Sequence, residues 1–451
     1  EVVGQAPAAD RDQLDAAVTA ARRAAAGWRA LDVAERVAAV AAAAGSAAEQ
    51  LAVSDGALLY TREHGKVLAE ARFEIDTGPA VVSLLGAIAE AALAPERIDP
   101  QSDYPRLQRE PYGVAALVLP FNWPLALTMT KLSSALAAGN TAVVKVPPTC
   151  PLAALRLGAA LAAALPPGVV NILAGPGSEL AQALVTHPGI DVISLTGGVA
   201  TGRAVMAAAA PRLTPVLLEL GGNDAAIIAP DITLTDQLVD QLVTATYTTC
   251  GQVCMAIKRL YVPAGQLAGW RDALAASLSR VVVGDGLRSE VTMGPVHTEA
   301  SRDRVEAMIA EAADSGAEVV RPGTVVQPDC GWMVSPALVV APDPKAALVR
   351  QEQFAPALPL LPYQDIDLAV AAANDTEFGL CASIWSGDAG LAEAVAQRLD
   401  AGTVWTNAHG MGAMDHLAPM GGWGESGLGT ELGVEGMSAF TRPRVLRHGS
   451  L

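Results

Sequence analysis

The feature that most constrains this chain is an alternation that begins at Arg106. Short β-branched, apolar runs at 114–119, 142–146, 169–173 and 192–195 are separated by helical patterns near 126–138, 151–164, 178–187 and 201–209. Strands spaced by helices run parallel, because a parallel pair needs a crossover of a dozen or more residues. The expectation is an α/β fold on a mostly parallel sheet, covered on both faces, with ligands bound beyond the carboxyl ends of its strands. A second alternation follows. Its strands are expected at 215–219, 225–228, 337–340 and 404–406, and its helices at 236–249, 268–282, 301–315, 366–373 and 389–399. The first hundred residues read as helices instead, starting where Asp10 can cap a stripe of Leu14, Ala17, Val18 and Ala21.

At 451 residues the chain has room for two or three domains. Neither a low-complexity linker nor a fixed-period repeat separates them. With 30 basic and 47 acidic residues the net charge is −17. That counts against a nucleic-acid binder and against adhesion to anionic membranes. Five cysteines, at Cys150, Cys250, Cys254, Cys330 and Cys381, make no disulfide framework and point to a reducing cytoplasm. Cys250 and Cys254 lack a second ligand pair, so no metal is expected. The chain opens on Glu1 without a signal- or transit-peptide pattern. The charge-free stretch 113–130 contains Pro120, Asn122 and Pro124, which makes it a buried strand entering a functional loop and not a membrane helix.

The residues able to carry chemistry lie at the ends of these runs. Gly175-Pro176-Gly177 follows a strand and precedes a helix, but Leu180 stands where a dinucleotide fingerprint has its third glycine, so alone it reads as a turn. Leu195-Thr196-Gly197-Gly198 is a second strand-to-helix turn, whose N–H groups can meet a phosphate. Cys254 lies in a polar patch from Thr248 to Met255, although an isolated cysteine is more often an inert core residue. Glu219 closes the run Val216-Leu217-Leu218, where burial raises a carboxylate toward the pKa of a general base; a lone glutamate there is more often a cap or an ion pair. Asn122, between Phe121 and Trp123, can donate to an oxyanion or form an Asx turn.

Their order is more specific than any one of them. Pro120-Phe121-Asn122-Trp123-Pro124-Leu125, Leu218-Glu219-Leu220-Gly221-Gly222 and Gly251-Gln252-Val253-Cys254 follow one another, with 97 residues from 122 to 219 and 35 from 219 to 254. In this the chain resembles the aldehyde dehydrogenase superfamily. Lys145, Leu195-Thr196-Gly197, Glu352-Gln353-Phe354-Ala355-Pro356, the stretch 374–380 and Pro419-Met420-Gly421-Gly422-Trp423 extend the resemblance over the whole chain.

The resemblance implies a Rossmann-type cofactor domain (1–92 and 112–222), a second α/β catalytic domain (223–431) and a small β oligomerisation arm (93–111 and 432–451). It implies NAD(P)-dependent oxidation of an aldehyde to a carboxylic acid. Cys254 is the implied nucleophile, and its thiol must either be held as the anion or pass its proton to a base. The Asn122 amide and the Cys254 N–H would hold the oxyanion, and Glu219 would activate the water that hydrolyses the thioester. The cofactor is NAD or NADP, NAD slightly preferred, held by Leu119, Pro120, Phe121, Lys145, Gly177, Thr196, Gly197, Gly198, Leu220, Gly221, Glu352 and Phe354. Trp123, Met255 and 408–416 would shape an apolar tunnel suited to aliphatic or aromatic aldehydes. Arg259 reads as an ion-paired residue at the surface or core edge, in preference to a tunnel residue. A strand around 104–112 and the tail 440–448 would assemble a homodimer or homotetramer.

The chain also departs from the family pattern. Pro148 stands where many members carry a glutamate that bonds the ribose hydroxyls and repels a 2′-phosphate, which removes the usual argument for NAD. Asn223 and Gly424 replace common lysines, Gly198 replaces a common serine, and the chain begins inside the family pattern. Two other readings stand beside this one. A coenzyme A-acylating semialdehyde dehydrogenase is disfavoured by Glu219, and a silent structural or binding relative by the joint presence of Cys254, Glu219 and Asn122.

Overall fold

A computed structural model describes residues 2–99, 105–326 and 331–448. Five helices open the chain, Arg11–Ala30, Val33–Val53, Gly56–His64, Leu68–Ser83 and Leu85–Leu93. Asp10 caps the first as its sequence suggests: its carboxylate accepts from the Gln13 N–H, and the Gln13 side chain accepts from the Asp10 N–H.

The first sheet has six strands in the order Gly427–Leu428, Val216–Glu219, Val192–Thr196, Val114–Val118, Thr141–Lys145 and Val170–Leu173. All neighbours pair in parallel except Gly427–Leu428, which runs antiparallel to Val216–Glu219. Alternate residues of the Val114–Val118 strand face two separate cores: Val114, Ala116 and Val118 pack with Val143, Ile193 and Leu195, while Ala115 and Leu117 pack with Ala142 and Val144. Burial on both faces explains why these strands read as continuous apolar runs. The chain moves outward through 141–145 and 170–173, then returns to place 192–196 on the other side of 114–118. The topological switch point therefore lies between Val114–Val118 and Val192–Thr196.

The second sheet has seven strands, ordered Glu318–Val320, Ala337–Val340, Ala357–Tyr363, Arg259–Pro263, Ala225–Ile228, Cys381–Trp385 and Thr403–Thr406. Only Glu318–Val320 is antiparallel. Three of the inner strands, 259–263, 357–363 and 381–385, were not anticipated. Arg259 puts a charge at the start of one, and Pro359 and Pro362 interrupt another, a pattern that ordinarily signals an edge or no strand at all. The helix expected over 236–249 ends at Tyr247, and that over 268–282 ends at Leu278. Glu219 ends a strand of the first sheet and Ala225 begins one of the second, so the short 220–224 connection brings the carboxyl edge of one sheet against the amino edge of the other.

A third sheet joins Glu96–Arg97, Arg106–Pro111 and Thr441–Leu446 in antiparallel order, with Thr441–Leu446 at an open edge. Tyr104, part of the strand expected there, and Cys330 lie outside the described residues. No single helix among the described residues is long and apolar enough to cross a membrane.

Gly158, inside the helix Leu152–Ala164, faces the sheet so closely that a Cβ would overlap Ile172 Cδ1. An exposed helical Gly→Ala change gains about 1 kcal/mol. Gly158→Ala is expected instead to lose about 1–3 kcal/mol by overpacking. Urea unfolding should show a lower midpoint at unchanged slope; a raised midpoint would mean that the helix can withdraw from the sheet.

Candidate active site

The expected residues of the first sheet lie along its carboxyl edge. Leu119, Pro120, Phe121 and Asn122 leave the strand Val114–Val118, Lys145 ends Thr141–Lys145, and Thr196 and Glu219 end their own strands. Gly177 opens the helix Gly177–Val185, and Gly198 precedes the helix Val199–Ala209. Leu220 and Gly221 lie in the connection between the sheets, and from the second sheet come the loop carrying Cys254 before strand 259–263 and Glu352 and Phe354 before strand 357–363.

The carboxyl edge of the first sheet beside the switch point suits a dinucleotide on several counts. Thr196 Oγ1 is buried with no hydrogen-bond partner. The Lys145 ammonium has no hydrogen bond or ion pair among the described residues, and burial lowers its pKa. A Cβ at Gly177 or Gly198 would meet nothing within 4 Å, so two helix N-termini present bare backbone. An orphaned hydroxyl, an unpaired ammonium and open helix N-termini suit ribose hydroxyls and a pyrophosphate. The Gly197 N–H is occupied by the Glu219 carbonyl at 3.0 Å. Glu352 folds onto the motif that follows Glu219, accepting from the Gly222 N–H at 2.9 Å, and a Cβ at Gly221 would overlap its carboxylate. Phe354 adopts φ +47 and sets its ring edge-on to Phe121 at 5.9 Å, while Phe121 stacks on His297 at 3.9 Å.

Cys254 is delivered by a strained turn. Thr249, Cys250 and Gly251 take φ of 51, 59 and 70 and break the preceding helix. Left-handed backbone at the two non-glycine residues costs on the order of 1–3 kcal/mol each, so the surroundings must over-determine it. They do. Glu70 accepts from the Thr249 N–H at 2.7 Å, and Lys258 Nζ donates to the carbonyls of Val253 at 2.8 Å and Cys254 at 2.6 Å. The His297 N–H donates to Gln252 Oε1 at 2.8 Å, and Asn122 Nδ2 donates to the Gln252 carbonyl at 3.0 Å. Asn122 is thus tied to the backbone two residues before Cys254.

Among the described cysteines, Cys254 alone is partly exposed; Cys150, Cys250 and Cys381 are buried. Burial pushes the Cys254 thiol up to about 12; Lys258 opposes the shift, and Asp224, Glu352 and Glu219 add to it. The thiol is therefore protonated at neutral pH and has to pass its proton to a base before attack. Glu219 is itself buried, and its pKa lies well above the carboxylate range, first through desolvation and then through the neighbouring Glu431, against the pull of Lys131. Lys131 pairs with Glu431 and donates to Ser194 Oγ at 2.9 Å. The sequence reading missed Lys131 and Glu431. The one available signal was a lysine inside the otherwise uncharged helix Pro124–Ala137.

A cavity of about 640 Å³ is walled by Val253 and Met255, the two sequence neighbours of Cys254, with Trp385 and Met411, and has Gln237, Asp240 and Gln241 among its polar lining. Its wall also includes 408–413 of the expected 408–416 stretch. Trp123 is not on that wall. It packs in the apolar cluster of Val253 and Met255, with its ring 4.1 Å from Lys66 Nζ. Arg259 does not line the cavity and makes no ion pair among the described residues. It is buried and donates to the carbonyls of Asn223, Ala372 and Ala373 at 2.8–3.0 Å, because neutral acceptors suffice where the guanidinium finds enough of them.

A dinucleotide groove at a switch point, abutting a loop that presents a partly exposed cysteine near a buried amide and a buried carboxylate, defines a thiol-dependent dehydrogenase. The chain belongs to the aldehyde dehydrogenase family, whose model matches residues 1–446 under the description "Aldehyde dehydrogenase family". It is 36% identical to the geranial dehydrogenase of Castellaniella defragrans over 98% of this chain and 92% of that one. Among solved structures it is similar to an NADP-dependent enzyme of E. coli (TM-score 0.93, 32% identity, 99% of this chain and 92% of that one). It is also similar to a mutant of aldehyde dehydrogenase C from Pseudomonas syringae in complex with NAD+ and octanal (TM-score 0.90, 34% identity, 99% and 91%). The protein is an NAD(P)-dependent aldehyde dehydrogenase that oxidises aldehydes to acids.

Because the thiol is held protonated, alkylation of Cys254 by iodoacetamide in the cofactor-free enzyme should accelerate about tenfold per pH unit from roughly pH 7 to 10. Mass spectrometry of the modified peptide reads this. A plateau already reached near neutral pH would show a stabilised thiolate instead.

Proposed function

We propose that Cys254, Asn122 and Glu219 carry the oxidation in this chain, with an apolar aldehyde as substrate. The observation that carries the reading is the convergence of all three where the two sheets abut, with Asn122 Nδ2 bonded to the loop of Cys254 at 3.0 Å. The Cys254 sulfur, once deprotonated, attacks the aldehyde carbon and forms a thiohemiacetal whose oxygen carries the negative charge. An amide nitrogen has two hydrogens. One Asn122 N–H stays on the Gln252 carbonyl and holds the group in place, and the second is free to donate to that oxygen together with the Cys254 N–H. One such donor contributes about 10²–10³ in rate.

NAD(P), when bound, supplies the acceptor for the hydride. Lys145, Thr196 and the N–H groups at the helix starts near Gly177 and Gly198 would hold its ribose and phosphate groups, with Gly197 lining their path and Leu119, Pro120, Phe121, Leu220, Gly221, Glu352 and Phe354 along its nicotinamide half. The acyl group then remains on Cys254 as a thioester. Glu219, made more basic by burial and by Glu431, takes the proton of the attacking water, and hydrolysis releases the acid and restores the thiol.

The finer assignments follow the same lines. The cofactor we infer is NAD or NADP, with NAD slightly preferred; Pro148 offers no carboxylate that would exclude a 2′-phosphate, and the solved relatives include an NADP-dependent enzyme and an NAD+ complex. Val253, Met255, Trp385 and Met411 favour aliphatic or aromatic aldehydes, in keeping with relatives that act on geranial or bind octanal. The open edge of Thr441–Leu446 offers unpaired backbone to a second copy, which supports a homodimer or homotetramer. Five cysteines scattered over the chain in no disulfide-framework pattern favour the cytoplasm. Segments 1–92 with 112–222, 223–431, and 93–111 with 432–451 serve as cofactor, catalytic and bridging units in this reading.

Cys254→Ala should abolish oxidation of aliphatic aldehydes while leaving cofactor affinity nearly intact by fluorescence titration; undiminished turnover would remove the mechanism. Glu219→Gln should give a burst of reduced cofactor in stopped flow, followed by a stall. A steady rate equal to wild type would exclude Glu219 as the base.

A further inference from the structure

Lys66 and Glu74 lie outside the groove and the cavity, yet both side chains are completely buried as an ion pair. We propose that this pair is a positioning device for Asn122 and, through it, for the oxyanion; the proposal rests on the role assigned to Asn122 above.

The pair grips four residues of the Asn122 segment. Lys66 Nζ donates to the Asn122 carbonyl at 3.0 Å and sits 4.1 Å from the centre of the Trp123 ring. Glu74 Oε1 accepts from the N–H groups of Leu125 at 2.7 Å and Ala126 at 3.1 Å, in the first turn of the helix Pro124–Ala137. There a carboxylate also meets the positive end of the helix dipole. Glu74 Oε2 accepts from Lys66 and from the Tyr60 hydroxyl at 2.5 Å. With the carbonyl of Asn122 fixed on one side and the helix start fixed on the other, its side chain is left directed at the Gln252 carbonyl.

The root of Lys66 is equally constrained. Gly65, at φ +97, ends the helix Gly56–His64, and the Leu68 N–H donates to the Gly286 carbonyl at 3.0 Å. A Cβ on Gly286 would lie 2.6 Å from the Lys66 carbonyl, so this segment is wedged against the loop that follows strand 282–283. Burying two ions is costly, and a well-packed apolar pair would serve packing alone as well or better. What an apolar pair cannot do is aim a carbonyl and cap a helix at the same time. The pair is therefore kept for geometry, and displacement of a catalytic group by about 1 Å is enough to cost 10²-fold in rate.

The test replaces both charges together, Lys66→Met with Glu74→Gln, so that neither ion is stranded. Turnover of octanal should fall on the order of 10–100-fold, with KM and the cofactor Kd within about twofold of wild type. The deciding comparison is the same replacement in an Asn122→Ala background, where it should cost nothing more because the group it acts through is gone. An equal loss in both backgrounds would show general structural support and overturn the positioning role. Wild-type turnover in Asn122→Ala alone would instead remove the oxyanion role of Asn122, and the pair's role with it. If the paired replacement does not fold, as melting would reveal, Glu74→Gln is carried through the same cycle: a loss confined to the Asn122 background supports positioning, and an equal loss in both overturns it.

Discussion

Everything in the site depends on the close approach of two sheet edges across the 220–224 connection. A Cβ at Gly222 would stand 2.6 Å from the Cys254 carbonyl, and one at Gly221 would overlap the Glu352 carboxylate. Only glycine permits that approach, because any side chain would push the cysteine loop or the 352–354 segment away from the groove. Glu219, at the end of a strand of one sheet, and Cys254, before a strand of the other, are therefore brought together at the junction. At the junction, left-handed backbone falls on Thr249 and Cys250 in the turn before Cys254 and on Phe354, where it sets the direction of side chains.

Desolvation is the main force against ionisation of the Cys254 thiol at that junction; Lys258 is the strongest single charge acting on it and favours the thiolate, while Asp224, Glu352 and Glu219 oppose it. Lys258 is committed to the carbonyls of Val253 and Cys254 and lies 3.9 Å from Glu352, so it organises the loop as much as it attracts the thiolate. A resting site built this way stores a protonated, weakly nucleophilic sulfur. Anything that shifts Glu352 away from the Gly222 N–H, or moves Glu219, changes the thiol as well, so the groove and the nucleophile are electrically linked.

How much of this was legible in the sequence depended on where each residue's partners lie. The first sheet was readable because its strands are buried on both faces and local apolar runs suffice to mark them. The second was half readable: Arg259 and the prolines at 359 and 362 hide strands that only tertiary packing and distant carbonyl acceptors make possible. Asn122, Glu219 and Cys254 stood out because each sits in a short, ordered motif. Lys131 with Glu431 and Lys66 with Glu74 did not, since their meaning lies in pairing across the fold. Trp123 illustrates the same limit, since its neighbours in sequence do not reveal that Lys66 holds its ring.

The net charge of −17 would by itself argue against an anionic ligand. The groove shows why that inference fails. Long-range charge is screened within about 8–10 Å at physiological salt, whereas the local donors are unscreened, partly buried and uncommitted: Lys145, the Thr196 hydroxyl and the bare helix starts at Gly177 and Gly198. Desolvation that lowers the pKa of Lys145 also raises the value of any anion that pairs with it. An acidic balance therefore disfavours polyanions that need a broad basic face, while in the reading proposed above a dinucleotide needs only a handful of groups that the rest of the fold leaves unsatisfied.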